Sequence, residues 1–199
     1  MQLTVASHKG GVGKTTTAVA LAYLLAETGP TVLVDGDRQL SASTWWRVAE
    51  QHGETWPDTL TLEQWRDPLT LPPADLAHVV IDTGPGDPAR VRAAAARTEL
   101  TVIAMTPLPA DIAQIGATLT DIEQSGAPLV GVLLTQMRLG TSETKHVPAE
   151  LREDQVPVLD TTVPWSVPRY GRAFGTVPNA YSIGAYRDVL TELRAPVEV

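Results

Sequence analysis

The segment that decides the fold lies between a short apolar run and a run rich in alanine and leucine, and it reads Ser7-His8-Lys9-Gly10-Gly11-Val12-Gly13-Lys14-Thr15-Thr16. Residues 3–6 are predicted to form a buried strand, and residues 15–27 a helix. Glycines at such a junction let successive backbone N–H groups surround phosphate oxygens, and the helix N-terminus adds its dipole. The segment therefore predicts a phosphate loop in which Lys14 contacts the β- and γ-phosphates and the Thr15 hydroxyl binds Mg²⁺.

Two further apolar runs end in aspartate. Residues 31–34 lead into Asp35 and Asp37, and residues 78–81 lead into Asp82. Carboxylates two residues apart on a strand point to the same side, and parallel strands end at the same edge of a sheet. We expect these aspartates near the phosphate loop, with Asp82 holding Mg²⁺ through a water molecule. The alternative is that they only cap turns at strand ends.

The remaining chain continues the alternation of strands and helices. Strands are predicted at 100–105 and 129–134 with a helix at about 111–125 between them, a shorter strand near Val158, and a C-terminal helix marked by Tyr186, Val189, Leu190 and Leu193. A helix after Ser41 would place Trp45 and Trp46 in core or dimer packing. Residues 53–75 carry four prolines and predict an irregular connection with one short strand. The expected fold is an α/β P-loop NTPase, a mostly parallel twisted sheet with helices on both faces, in a single domain covering residues 1–199.

Composition removes several classes of function. The 199 residues include no cysteine, which excludes disulfides, a cysteine nucleophile and a cysteine-ligated iron–sulfur cluster. The net charge of −8 argues against strong general affinity for nucleic acid. The four histidines have no ligand spacing, so no metal other than Mg²⁺ is expected. With no long apolar run and no leader pattern, we expect a cytoplasmic protein without a membrane helix.

The loop contains a second lysine. Lys9-Gly10-Gly11-Val12-Gly13-Lys14-Thr15 lacks the first glycine of the ordinary pattern, where His8 stands, and resembles the deviant Walker A loop of the ParA/MinD family of P-loop ATPases. The resemblance implies ATP and Mg²⁺ as cofactors and an ATP-dependent homodimer in which Lys9 crosses to the partner's nucleotide. It implies that the nucleotide is bound by Gly10, Gly11, Val12, Gly13, Lys14, Thr15 and Thr16. Lys9 is one of only three lysines in the chain.

Two more motifs resemble this family. Asp35-Gly36-Asp37-Arg38-Gln39 is similar to Asp-x-Asp-Pro-Gln, with arginine in place of proline. Asp82-Thr83-Gly84-Pro85 is similar to Asp-x-Pro-Pro, with glycine in place of the first proline. The resemblance implies that Asp37 acts in catalysis with Lys9 and Lys14 by orienting the attacking water. It implies that the metal site comprises Thr15, Asp35 and Asp82.

The similarity is greatest to the short, single-domain ParA proteins. In those proteins a proline-rich segment lies near the adenine and the dimer partner, which assigns Pro107 and Pro109 to nucleotide binding. The same residues also fit a plain strand-to-helix loop with Asp111 as N-cap.

The resemblance implies an ATPase, slow alone and stimulated by a ParB-like partner, that acts in plasmid partition, chromosome segregation or the positioning of another cargo. Its dimer would bind non-specific DNA and associate with the nucleoid, through Arg138, Lys145, Arg169, Arg172 and Arg187. The alternative for these residues is a solvated face of structurally paired arginines. Two other functions stay open: a nucleotide-dependent protein switch without DNA binding, and a small-molecule ATP-dependent ligase on the same scaffold.

Overall fold

Six strands form one parallel sheet in the computed structural model, which describes residues 1–67, 69–75, 77–127, 129–138 and 140–195. The strands are β1 (Gln2–Ala6), β2 (Thr31–Gly36), β3 (Leu60–Gln64), β4 (His78–Thr83), β5 (Leu100–Met105) and β6 (Leu129–Leu134). Their order across the sheet is β3-β2-β4-β1-β5-β6, and every pair of neighbours is parallel. The predicted α/β class is confirmed, and the sheet is parallel throughout.

Eight α-helices connect and cover these strands in the part of the chain that the structure describes. They are α1 (Lys14–Ala26), α2 (Ser41–Gln51), α3 (Pro88–Ala95), α4 (Pro109–Ile112), α5 (Ile115–Ser125), α6 (Ser142–Glu153), α7 (Ala180–Ile183) and α8 (Tyr186–Arg194), with a π-helical turn at Val167–Gly171. None of the described helices combines the length and apolarity needed to cross a bilayer.

The sheet separates two layers of helices. Alternate residues of β5 show this: Val102 and Ala104 pack in one apolar cluster with α1, α2 and α8, whereas Ile103 and Met105 pack in another with α5 and α6. Because parallel strands are covered on both faces, their sequences are apolar at nearly every position. Helix α1 is buried on most of its surface because it contacts the sheet, α2 and α8.

The register of the central strands brings the predicted acidic residues together. In the β2–β4 pair, Asp35 lies opposite Asp82, and in the β1–β4 pair Asp82 lies opposite Val5. Since β1 leads directly into the phosphate loop, the three strand ends meet at one edge of the sheet. This placement follows from the parallel arrangement that the sequence predicts.

Predicted and observed boundaries differ in three places. The predicted helix at 111–125 is interrupted, because Ala113 and Gln114 form a turn between α4 and α5. Asp111 lies in the first turn of α4 and accepts a hydrogen bond from Thr106, so it is not the N-cap, which is Leu108. Near Val158 the structure has a single β-bridge to Val132 in place of a strand.

Three helices were not predicted from the sequence: α3, α6 and the four-residue α7. α3 begins with Asp87 as N-cap and Pro88 in its first turn, a recognisable start signal, but its short alanine-rich sequence has little amphipathic pattern. α6 contains Pro148 in its interior, which obscured the helical pattern. The short strand expected within 53–75 is confirmed as β3.

Candidate functional site

The loop between β1 and α1 has the backbone shape of an anion-binding site. Gly11 and Gly13 have φ of 77° and 84°, a left-handed conformation that glycine adopts without strain. α1 begins without a side-chain cap, so the first N–H groups of the helix are available to an anion. Two residues after β6 support the loop from behind: the Thr135 hydroxyl donates to the Val12 carbonyl at 2.7 Å, and the Gln136 amide donates to the Gly11 carbonyl at 2.6 Å.

A cavity of about 500 Å³ opens at this loop. Its polar end is lined by Gly10, Gly11, Gly13, Lys14, Thr15 and Thr16. Of the predicted loop residues, Val12 instead directs its side chain into the core, where it is 1% exposed. The other end is mostly apolar and aromatic, and is lined by Trp45, Val163, Pro164, Trp165, Tyr170, Phe174 and Tyr186. A cavity that joins phosphate-binding residues to aromatic residues suits a nucleotide.

Lys14 lies at the polar end of this cavity. Its ammonium donates to the Lys9 carbonyl at 2.6 Å. Burial lowers the pKa of Lys14, while the nearby carboxylates of Asp82 and Asp37 raise it in part. A lysine in this position can bind phosphate oxygens once they enter the loop.

Asp82 fits a divalent cation. Its side chain is fully buried, and neither carboxylate oxygen has a hydrogen-bond partner among the described residues. Burial raises the pKa of Asp82 to about 7, and the nearby Thr15 hydroxyl and Lys14 ammonium act in the opposite direction. A buried carboxylate without partners is unfavourable unless something neutralises it, and Mg²⁺ would do so.

The rest of a metal site would come from the nucleotide. No three His, Asp or Glu side chains in the described ranges form a cluster that could hold a metal alone. Mg²⁺ often takes only one or two carboxylates and completes its shell with phosphate oxygens and water. Thr15 and Asp82 could provide the protein's share, and the ion would neutralise charge on the transferred phosphoryl group.

Asp35 has a different environment. Its two carboxylate oxygens accept backbone N–H groups, from Asp37 at 3.2 Å and from Ser43 at 2.7 Å. Burial raises its pKa, and the hydrogen bonds from Ser43 and Asp37 act in the opposite direction. The carboxylate therefore stabilises the turn after β2 and the start of α2. Its participation in the metal site remains a prediction.

Asp37 lies at the wall of the cavity. Its Oδ1 accepts the Gln39 N–H at 2.9 Å, and its Oδ2 accepts the Ser41 hydroxyl at 2.6 Å. The loop after β4 approaches closely, since a Cβ on Gly84 would stand 2.7 Å from Asp37 Oδ1. Asp37 is thus held in one orientation next to the phosphate-binding end, as a group that positions water would need to be.

Lys9 is not part of the cavity wall. Its ammonium lies 3.7 Å from Asp111 Oδ1, and its side chain is 41% exposed. The two loop lysines therefore point to different places: Lys14 to the chain's own cavity, and Lys9 to the first turn of α4.

The structure does not bring Pro107 and Pro109 to the cavity. Pro107 is buried after β5 and Pro109 is exposed at the start of α4, and neither lines the cavity. Their predicted contact with nucleotide is untested. In the single chain the aromatic end of the cavity is lined instead by Trp45, by Tyr186 and by residues of the segment 163–174.

The predicted DNA-binding residues occupy several elements. Arg138, Lys145, Arg172 and Arg187 are exposed, and Arg169 is half-buried with its guanidinium 4.7 Å from the Tyr181 ring. Arg187 pairs with Glu27 at 2.9 Å. The other four have no carboxylate partner among the side chains that the structure describes.

Thr135 and Gln136 are functional-site residues that the sequence analysis missed. They follow β6 directly, and polar residues at the carboxyl end of a parallel strand are a recognised signal of a ligand site. The same rule had selected the aspartates after β2 and β4.

Comparison with known proteins places this site in context. The family model of the CobQ/CobB/MinD/ParA nucleotide binding domain matches residues 3–170. The "Maintenance of carboxysome distribution protein A" of Gloeobacter kilaueensis is 34% identical over 165 residues, which cover 80% of this chain and 74% of the relative.

Solved structures share the fold. An ATP complex of a Cyanothece McdA variant superposes with a TM-score of 0.77 at 15% identity, covering 100% of this chain and 98% of the other. A putative plasmid partition protein of Borrelia burgdorferi bound to AMPPNP gives a TM-score of 0.76 at 18% identity, covering 96% and 97%.

Proposed function

Because this chain belongs to the CobQ/CobB/MinD/ParA nucleotide-binding family and is an ATPase of the ParA/MinD type that uses ATP and Mg²⁺, we propose that it is a positioning protein. Its ATP-bound homodimer binds DNA without sequence preference and distributes a cargo through an adaptor protein. Bound to DNA in this way, the protein would associate with the nucleoid.

The observation that carries the proposal is the position of Lys9. A loop lysine that served only the chain's own phosphates would line the cavity, as Lys14 does. Lys9 lies outside the cavity and keeps 41% of its side chain exposed, so it is available to a second copy. In the dimer we assign it to the partner's nucleotide, which makes hydrolysis depend on dimerisation.

The assigned roles in hydrolysis follow from the surroundings of each residue. Lys14 binds the β- and γ-phosphates, Thr15 and Asp82 hold Mg²⁺, and Asp37 orients the attacking water. Positioning and charge neutralisation account for most of the catalysis of phosphoryl transfer. Hydrolysis by the chain alone is therefore slow and increases when an adaptor stabilises the reactive geometry.

The DNA-binding surface is proposed to include Arg138, Lys145, Arg169 and Arg172. Their charges have no carboxylate partner in the described part of the chain, and phosphate contacts supply most non-specific affinity. Arg187 contributes less, because Glu27 already neutralises it. With a net charge of −8 per chain, binding should be modest and strongly dependent on salt.

The relative's name favours a positioning role over a small-molecule ligase. That relative maintains the distribution of carboxysomes, and we propose that this chain likewise distributes a large intracellular cargo. Segregation of a plasmid or chromosome with a ParB-like partner would use the same ATP-dependent cycle.

Sedimentation velocity tests the dimer. With ATP and Mg²⁺, Asp37→Ala should accumulate as a dimer because hydrolysis is blocked, and it should be monomeric with ADP. Adding Lys9→Ala should abolish the dimer, whereas adding Lys145→Ala, a loss of the same charge on α6, should not. A dimer that persists without Lys9 would contradict its assignment to the partner's nucleotide.

Fluorescence anisotropy with a DNA duplex of arbitrary sequence tests the surface. Each phosphate contact contributes about −0.9 to the slope of log affinity against log salt, so Arg172→Gln should reduce the slope of a dimer by roughly two. The matched control is Arg47→Gln, which removes an exposed arginine of α2 outside the proposed surface. An unchanged slope for Arg172→Gln, or an equal change in the control, would reject this surface.

A further inference from the structure

An ion pair joins the loops that follow β2 and β4. The Nε of Arg38 donates to Asp87 Oδ2 at 2.8 Å. Arg38 directly follows Asp37, and Asp87 directly follows the Gly84–Gly86 loop and caps α3 by accepting the Arg90 N–H at 3.2 Å. The contact therefore connects the turn that carries Asp37 to the start of α3.

A second contact reinforces the first. The Arg90 guanidinium, one turn into α3, donates to the Gly36 carbonyl at 3.0 Å. The same guanidinium lies 5.4 Å from the Trp65 ring, which keeps it over the end of β2. The two loops are thus joined on both sides of Asp37, at residues 36 and 38.

The space between these contacts is tightly filled. The Cβ position of Gly84 lies 2.7 Å from Asp37 Oδ1 and 3.1 Å from its Cα, so only glycine fits there without displacement. Arg38 and Gly84 each stand where the motif that the chain resembles, Asp-x-Asp-Pro-Gln or Asp-x-Pro-Pro, has a proline. In the structure they act on the same residue: Arg38 draws the two loops together, and Gly84 permits the close approach.

The electrostatics agree with a formed ion pair. Burial raises the pKa of Asp87, but the hydrogen bonds from Arg38 and Arg90 outweigh it, so the net pKa lies below the ordinary value. Asp87 is therefore ionised at neutral pH. The Asp87 side chain is 15% exposed and the Arg38 side chain 76%, which makes the pair a modest contributor to stability.

We propose that Arg38 and Asp87 are positioning residues for ATP hydrolysis, whose ion pair holds the turn of Asp37 against the Gly84–Gly86 loop at the phosphate end of the cavity. The inference rests on the proposed role of Asp37 and is independent of DNA, adaptor and cargo. Neither Arg38 nor Asp87 lines the cavity, so the pair acts through Asp37. Its loss should therefore reduce the rate of the chemical step and leave ATP binding unchanged.

Steady-state ATP hydrolysis without DNA tests the inference. Arg38→Gln and Asp87→Asn each remove one charge, and asparagine retains the N-cap of α3. Each should lower kcat about two- to fivefold with an unchanged KM, as expected for an exposed pair. The double variant should lose no more than either single variant, and Arg38→Lys should recover most of the lost rate.

Controls separate this role from others. Arg97→Gln removes an exposed arginine beyond α3 and should retain the parent kcat. Three results would each overturn the inference. The kcat losses of the two single variants could multiply in the double variant, KM could rise with an unchanged kcat, or the ATP-dependent dimer could be lost on sedimentation. If Asp37→Ala hydrolyses ATP at the parent rate, the proposed role of Asp37 fails first, which distinguishes the two failures.

Discussion

Gly84→Ala would place a methyl group against Asp37. The backbone of Gly84 is not in the left-handed region, so the effect of the change is steric. The added Cβ would meet three atoms of Asp37 at 2.7 to 3.2 Å, and one of them is a backbone atom. Because Asp37 is tied to Gln39 and Ser41, it cannot rotate away freely.

Overpacking of this kind costs about 1–3 kcal/mol of the free energy of unfolding. For a chain of this size that corresponds to a loss of about 2–12 °C in Tm. Since the displaced residue is the one assigned to the attacking water, kcat should fall by about ten- to a hundredfold. ATP affinity should change little, because the phosphate loop is not displaced.

The assay combines thermal unfolding with ATP hydrolysis. The matched control is Gly116→Ala in α5, where an added Cβ meets nothing within 4 Å. That change should raise stability by about 0.5–1 kcal/mol, through helix propensity, and leave kcat unaltered. If Gly84→Ala has the same Tm and the same kcat as the parent protein, the close approach of the two loops is refuted.

Three further predictions concern other parts of the site. Thr15→Ala should lower the Mg²⁺-dependent kcat by at least about tenfold, while nucleotide affinity measured in EDTA stays unchanged; an equal loss of affinity in EDTA would contradict a metal role. Trp45→Ala should cost about 3–5 kcal/mol in urea unfolding, because the ring is 3% exposed and lies against Phe174; a cost below about 1 kcal/mol would show a different packing. Asp111→Asn removes the contact at 3.7 Å that holds Lys9 within its own chain, so ATP-dependent dimers should form at about two- to fivefold lower protein concentration; weaker dimerisation would mean that Asp111 supports the dimer.

The sequence was sufficient to predict the local parts of the site. The glycine loop, the helix that follows it and the aspartates at the ends of apolar strands are adjacent in sequence to the elements that position them. That Asp35 and Asp82 lie side by side also followed, because parallel strands end at a common edge.

The sequence could not predict contacts between distant loops. Arg38 and Asp87 are 49 residues apart, and Thr135 is 123 residues from the Val12 carbonyl it supports. Single polar residues in loops follow no periodicity, so nothing in the sequence pairs them before the crossovers are known. The aromatic end of the cavity was also not predicted, since residues 163–174 contain a π-helical turn and one isolated β-bridge residue, Pro164, and such irregular backbone gives no periodic pattern.

The most direct test of the central claim is the binding of the protein to a DNA duplex of arbitrary sequence, compared with ADP, with ATP, and with ATP on Asp37→Ala. The account predicts binding that requires ATP, persists in Asp37→Ala after the parent protein has released the DNA, and is lost when Lys9→Ala is added. Dimerisation with ATP but no binding to DNA with any nucleotide at low salt would contradict it, and would leave a nucleotide-dependent protein switch as the function of this chain.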